Sequence, residues 1–219
     1  MIEVVPALIT ANSPADFAAA LTKLNFAPRL HIDIADGVFA SRRTLNLNQI
    51  YWPENVRADL HLMMEKPLDW LEMIVSLKPN LVICHSEIPG AHEILPRLFG
   101  HLRKFQIQCG LAILPETSVE SARDLILAAD QVLIFGGKLG WQGGVADLTQ
   151  LEKIPEIKQI KNVQIGWDGG ANLQNVKEII KAGVEVVNVG SAIANAPDPE
   201  KVWREMTAAA NAEKSAAAI

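Results

Sequence analysis

Short apolar runs alternate with amphipathic stretches along the whole chain, the pattern expected of buried strands joined by crossover helices. Strands are predicted at residues 3–9, 29–34, 56–62, 81–85, 107–113, 131–135, 163–167 and 184–189. Between them lie segments with helix-opening signals. Ser13-Pro14 precedes one helix, Thr117-Ser118 a second, and Asn172 a third that Gly183 closes as a C-terminal cap. Eight such units in 219 residues fit a compact (β/α)8 barrel (TIM barrel) better than a doubly wound sheet, although periodicity alone does not separate the two. The chain reads as one domain over 1–219, its alanine-rich tail from about 208 expected as a last helix that frays.

Composition narrows the function classes. A net charge of −5 and a pI near 5.6 give no basic footprint for nucleic acid. No apolar run reaches about 18 residues, and MIEVVPALIT has neither a basic leader nor a cleavage signal, so a cytoplasmic protein without a membrane segment is expected. Cys84 and Cys109 fall in or beside apolar strands, where buried free thiols are common.

Against this apolar background four ionisable side chains stand out: His31 and Asp33 in LHIDIADG, His61 in ADLHLMM and Asp168 in QIGWDGG. Alternation along a strand points His31 and Asp33 the same way. Buried at strand ends, such groups need one another, a metal or a substrate. Any one of them also fits a core histidine satisfied by backbone, or an aspartate in a turn or cap. Two imidazoles and two carboxylates from different strands make a metal-binding, proton-transferring site the leading hypothesis. Asp36, in ADG, reads as a turn residue, and His85 as a group shaping the pocket floor beside the ligands.

The strings HIDIADG, DLHLMM, GLAILPETSVE, WDGGAN and VGSAIANAPDP, in this order, resemble the ribulose-phosphate 3-epimerase family. The resemblance spans nearly the whole chain. It implies a ribulose-phosphate-binding (β/α)8 barrel that epimerises C3 of a ketose phosphate, by default ribulose 5-phosphate to xylulose 5-phosphate. It implies one divalent metal ion (zinc, iron, manganese or cobalt) on His31, Asp33, His61 and Asp168. The metal polarises the ketone and stabilises an enediolate, while Asp33 and Asp168 serve as base and acid on opposite faces. Thr10, Met63, Gly140, Gly143, Gly169, Gly170, Gly190 and Ser191 are the implied substrate and phosphate contacts. Members of the family associate through outer helices, which makes a homo-oligomer an open expectation.

The departures from the family bear on the substrate. Thr10 replaces a serine, and Ala35 and Phe135 replace methionines, leaving Met63 of an apolar trio. The loop from Leu139 to Gly144 keeps glycines without the family's pattern, and Leu114 replaces a polar residue. Arg42, Arg43 and Lys138 add cations that either meet a differently placed anion or lie on a solvated surface; the second reading is favoured. Another ketose phosphate, such as a ketohexose 6-phosphate, and a catalytically silent sugar-phosphate-binding barrel are the alternatives. Related decarboxylase barrels carry D-x-K-x-x-D on the third strand; here residues 59–64 read DLHLMM, without the lysine. Trp167 is expected to pack between strands and helices, away from the Asp168 side chain.

Overall fold

A computed structural model describes residues 2–9, 13–140 and 143–217, the side chains of Ile9 and of 215–217 excepted. Eight parallel strands close into a barrel in sequence order, β1 (Glu3–Ile9), β2 (Arg29–Ala35), β3 (Arg57–Met63), β4 (Leu81–His85), β5 (Gln108–Ile113), β6 (Gln131–Phe135), β7 (Gln164–Asp168) and β8 (Val186–Val189). Every residue of β2 is buried, as expected where helices cover the outer face and side chains fill the inner one. Outside the strands, α1 (Pro14–Lys23), α2 (Leu71–Leu77), α3 (Ala91–Arg103), α4 (Arg123–Ala128), α5 (Lys153–Ile160), α6 (Val176–Lys181), α7 (Ser191–Ala194) and α8 (Pro199–Ala217) follow in order. A single 3-10 turn, Leu47–Gln49, replaces the helix between β2 and β3.

The caps explain where the helices start and stop. Ser13 Oγ accepts from the Asp16 N–H at 3.2 Å, with Pro14 next, so α1 opens where the sequence predicts. Gly183 (φ 111°) ends α6: its N–H donates to Ile180 O and that of Val184 to Ile179 O, the two bonds of a Schellman cap. The start of α6 differs from expectation. Asn172 accepts from the Gln174 N–H and donates its own N–H to Asn175 Oδ1, which builds a turn and delays the helix to Val176. The helix expected after Thr117-Ser118 likewise opens as a 3-10 turn at Glu120–Ala122, Ser118 Oγ capping Ser121 N–H, before α4.

Two layers of core follow from strand alternation. Ile32, Ile34, Leu60, Leu62 and Trp167 point outward to the helices, while Leu81, Ile83, Ala112 and Leu133 pack inside the barrel. The last helix locks the first strand, Trp203 Nε1–H donating to Val4 O at 2.8 Å. No helix among the described residues is long and apolar enough to cross a membrane.

Candidate metal centre

Register brings the four ionisable groups together. His31 and Asp33 are two residues apart on β2 and both face inward; His61 on β3 pairs with Asp33, and Asp168 is the last residue of β7. Their ligand atoms all lie within 4.8 Å of one another. His61 Nδ1 is 2.9 Å from Asp33 Oδ1 and 3.6 Å from Asp168 Oδ2; His31 Nε2 is 3.2 Å and 3.6 Å from the same two oxygens.

The donor set fits a divalent cation. His31 is wholly buried; its Nδ1 has no hydrogen-bond partner among the described residues, and its Nε2 meets the Asp33 and Asp168 carboxylates at ion-pair distance without hydrogen-bond geometry. Leaving such a group unsatisfied costs about 1–3 kcal/mol. A cation accepting two nitrogens and two oxygens removes that cost, and zinc, iron, manganese and cobalt all tolerate such ligation. Charge leads to the same conclusion. Burial pushes the His31 pKa down, but the Asp168 and Asp33 carboxylates outweigh it and raise it to about 10. A proton on His31 thus supplies the positive charge when no metal does. Burial pushes Asp33 up, and His31 and His61 overcome that effect, holding its carboxyl well below the usual range.

His85, the last residue of β4, stands behind His61 with the two Nε2 atoms 2.8 Å apart. It touches the ligand set without joining it, as expected. Burial lowers its pKa to about 4 against the pull of Glu87, whose Oε2 is 3.4 Å from His85 Nδ1. Phe39 and Phe135 pack on its ring at centroid distances of 4.9 Å and 6.1 Å.

Above this floor a cavity of about 240 Å³ opens at the C-terminal ends of the strands. Asp33, His61 and Asp168 reach into it, Ala7, Ala35, Met63 and Phe135 form apolar walls, and Gly140, Gly143, Gly169, Gly170, Gly190 and Ser191 border it. Two of these glycines are required by the backbone. Gly169 (φ 118°) passes so near the β6 loop that a Cβ would lie 2.3 Å from Gly137 N, and at Gly170 (φ 66°) one would lie 2.4 Å from Ala146 N. Trp167 fixes the same turn from behind, fully buried against the helices as expected, with Nε1–H donating to Gly169 O at 2.9 Å.

Other sequence candidates separate here. Arg42, half-buried, and Lys138, exposed to solvent, both border the cavity, whereas Arg43 folds away and donates from Nε to Asp36 O. Asp36 is a turn residue as predicted: Oδ1 accepts from Val38 and Phe39, and Oδ2 from Glu65. Leu114 lies outside the cavity lining, and its N–H instead holds Glu87 Oε1 at 2.9 Å. Thr10 and, in the β6 loop, Trp141 and Gln142 lie outside the described residues. The cysteines are free and buried.

Sequence reasoning missed Ala7, Thr44, Gly137 and Ala171 in the cavity lining, and two polar groups near it. Glu87 is one. Asn188 is the other: it pairs with Asp168 in register, is 2% exposed, and neither amide atom has a partner among the described residues. A lone asparagine inside VEVVNVG was its visible signal.

Residues 3–194 match the model of the ribulose-phosphate 3-epimerase family. The chain is 31% identical over 188 residues to a ribulose-phosphate 3-epimerase of Encephalitozoon cuniculi, covering 84% of each, and 28% identical over 205 residues to one of Helicobacter pylori, covering 90% of this chain and 92% of the relative. The fold is similar to that of 3-hexulose-6-phosphate synthase from Salmonella typhimurium, with a TM-score of 0.71 and 15% identity over 97% of this chain and all of the other.

Proposed function

The chain belongs to the ribulose-phosphate 3-epimerase family, an isomerase family, and from that premise we propose that it is a divalent-metal-dependent epimerase acting at C3 of a ketose phosphate, with ribulose 5-phosphate and xylulose 5-phosphate as the pair. The observation that carries this reading is the cluster of His31, Asp33, His61 and Asp168 under an open cavity, with the buried His31 Nε2 facing both carboxylates at 3.2 Å and 3.6 Å.

A divalent ion held by those four residues supplies the Lewis acidity that makes a proton beside a ketone removable. Everything else falls to the protein. Inversion at carbon demands that the proton leave one face and return to the other, so two carboxyl groups must flank C3. Asp33 on β2 and Asp168 on β7 are those groups. One takes the C3 proton as the carboxylate, the other enters protonated and delivers its own, and the reverse reaction exchanges their roles. Ala35, Met63 and Phe135 give the reacting carbon an apolar surround that limits access of water. Gly169 and Gly170, with Gly190 and Ser191, offer backbone N–H groups to the phosphate.

A second reading concerns the substrate alone. Arg42 and Lys138 line the cavity, and Ala35 and Phe135 reshape it, which favours a ketose phosphate of different length or with its anionic group differently placed. Incubating five- and six-carbon ketose phosphates with the metal-loaded protein in deuterated water, and following the label by NMR, tests both readings. Deuterium is expected at C3. A protein with bound metal that exchanges none of these substrates is not an epimerase.

A further inference from the structure

His61 has two ring nitrogens, and only one can serve a metal ion facing Asp33 and Asp168. Nδ1 is the atom on that side. To act as a ligand it must be unprotonated, so the proton must sit on Nε2. What lies behind Nε2 decides whether that tautomer is stable. There the structure holds a buried file of polar atoms: His61 Nε2 is 2.8 Å from His85 Nε2, and His85 Nδ1 faces Glu87 Oε2 at 3.4 Å, in ion-pair range but outside hydrogen-bond geometry, with neither atom hydrogen-bonded to any other described residue.

Resting on the metal-dependent reading above, we propose that Glu87 and His85 are positioning residues that fix His61 as the Nε2–H tautomer and so present Nδ1 to the metal. The direction of the file follows from its outer end. Glu87 is acceptor-only when ionised. It is held ionised, with a pKa lowered to about 2, because His85, the Thr117 hydroxyl and the Leu114 N–H outweigh the effect of burial. Its other oxygen is anchored, accepting from Leu114 N–H at 2.9 Å and Ser86 Oγ–H at 2.8 Å. The loop that supplies Leu114 is itself tied down, with Lys153 Nζ donating to Leu114 O at 2.8 Å and to Pro115 O at 3.0 Å.

A fixed anionic acceptor 3.4 Å from His85 Nδ1 favours the proton on that nitrogen, which leaves His85 Nε2 bare as the acceptor for His61 Nε2–H. The opposite arrangement, with protons on His85 Nε2 and His61 Nδ1, would set a bare His85 Nδ1 against a carboxylate oxygen, two acceptors face to face. The preferred arrangement moves that conflict to the other end. It leaves His61 Nδ1 and Asp33 Oδ1 as acceptors 2.9 Å apart, which a cation bound between them resolves. His85 is fully buried under Phe39 and Phe135, so bulk water does not compete for its nitrogens.

The test uses His85→Leu and His85→Gln in the full chain, with zinc as the probe. Zinc affinity, measured by competition with a chromogenic chelator, is expected to fall roughly 10–100-fold in His85→Leu, the usual cost of losing a partner behind a metal-bound histidine. His85→Gln, whose amide oxygen can still accept from Nε2–H, should recover most of that loss. The unfolding midpoint of His85→Leu in chelator should not fall below that of the wild type, which separates positioning from a purely structural role. In zinc-loaded wild type, long-range proton–nitrogen NMR should show the His61 proton on Nε2; this measurement needs no variant. Equal zinc affinity in wild type and His85→Leu, or a His61 proton on Nδ1, overturns the relay alone. A wild type that binds no divalent metal overturns the metal reading and the relay together.

Discussion

At the N-terminal end of the barrel, buried charge is closed on itself. Arg29 Nε donates to Asp59 Oδ2 at 2.7 Å, Asn80 Nδ2 donates to Asp59 Oδ1 at 2.8 Å, and Glu3 receives Arg29 and Arg57 at 3.1 Å and 2.7 Å. Burial works against the Arg29 charge, and Asp59 with Glu3 prevails, keeping it ionised. At the C-terminal end the same residue classes meet without closing. Two carboxylates face two imidazoles, and the buried His31 Nε2 meets both carboxylates at ion-pair distance without hydrogen-bond geometry. The lower cluster contains its cation covalently, in Arg29; the upper one has the donor set that could hold a metal ion. This contrast follows the general division of such barrels into a stabilising lower face and a reactive upper one.

Substitutions at each end should therefore fail in different currencies. Asp168→Asn or Asp33→Asn should cost the largest factor, about 10²–10⁴ in C3 exchange for loss of a proton-transfer group, with the fold intact by circular dichroism. Wild-type turnover in either variant would refute the two-carboxylate scheme. At the lower end Arg29→Met should leave Asp59 buried without its main partner, at a cost of about 3–5 kcal/mol in denaturant unfolding. Turnover per folded molecule should not change, and a comparable loss of turnover would erase the distinction between the ends.

Metal and pH sharpen the comparison. Saturating zinc at about 100 times its dissociation constant should add about 2.7 kcal/mol to stability. In chelator, His31 contributes in the opposite sense to a carboxylate. Its folded pKa, about 10, exceeds the unfolded value of 6.5, so its stabilisation is complete below pH 6.5 and is lost as pH rises toward 10. Unfolding midpoints measured across that window should fall in metal-free wild type and stay flatter in His31→Gln. The smallest effect is expected at the mouth, where Arg42→Gln should raise KM roughly fivefold, about 1 kcal/mol for a partly exposed charge, with kcat unchanged. Arg43→Gln, turned toward Asp36, should leave both constants at wild-type values.

Much of this architecture was legible before any coordinates. Strand ends fell within a residue or two, because a parallel barrel strand is buried on both faces and reads as a short apolar run. The ligands were visible for the complementary reason, as ionisable residues where such runs should be apolar. Helix starts were harder. The Asn172 side chain looks like a cap in sequence, yet its hydrogen bonds make a turn, and nothing local chooses between those uses.

The sequence alone specified the eight strands as short apolar runs. It marked His31, Asp33, His61 and Asp168 as ionisable groups where such runs should be apolar, because burying charge in a strand is costly, and alternation placed His31 and Asp33 on one face. Tertiary structure decided what those signals cannot encode, because it depends on register between strands distant in sequence and on the path of loops. It turned Arg42 into the cavity and Arg43 away, set Asn188 beside Asp168, and laid Glu87 behind His85 and His61. Each is a contact between elements, fixed only when the barrel closes.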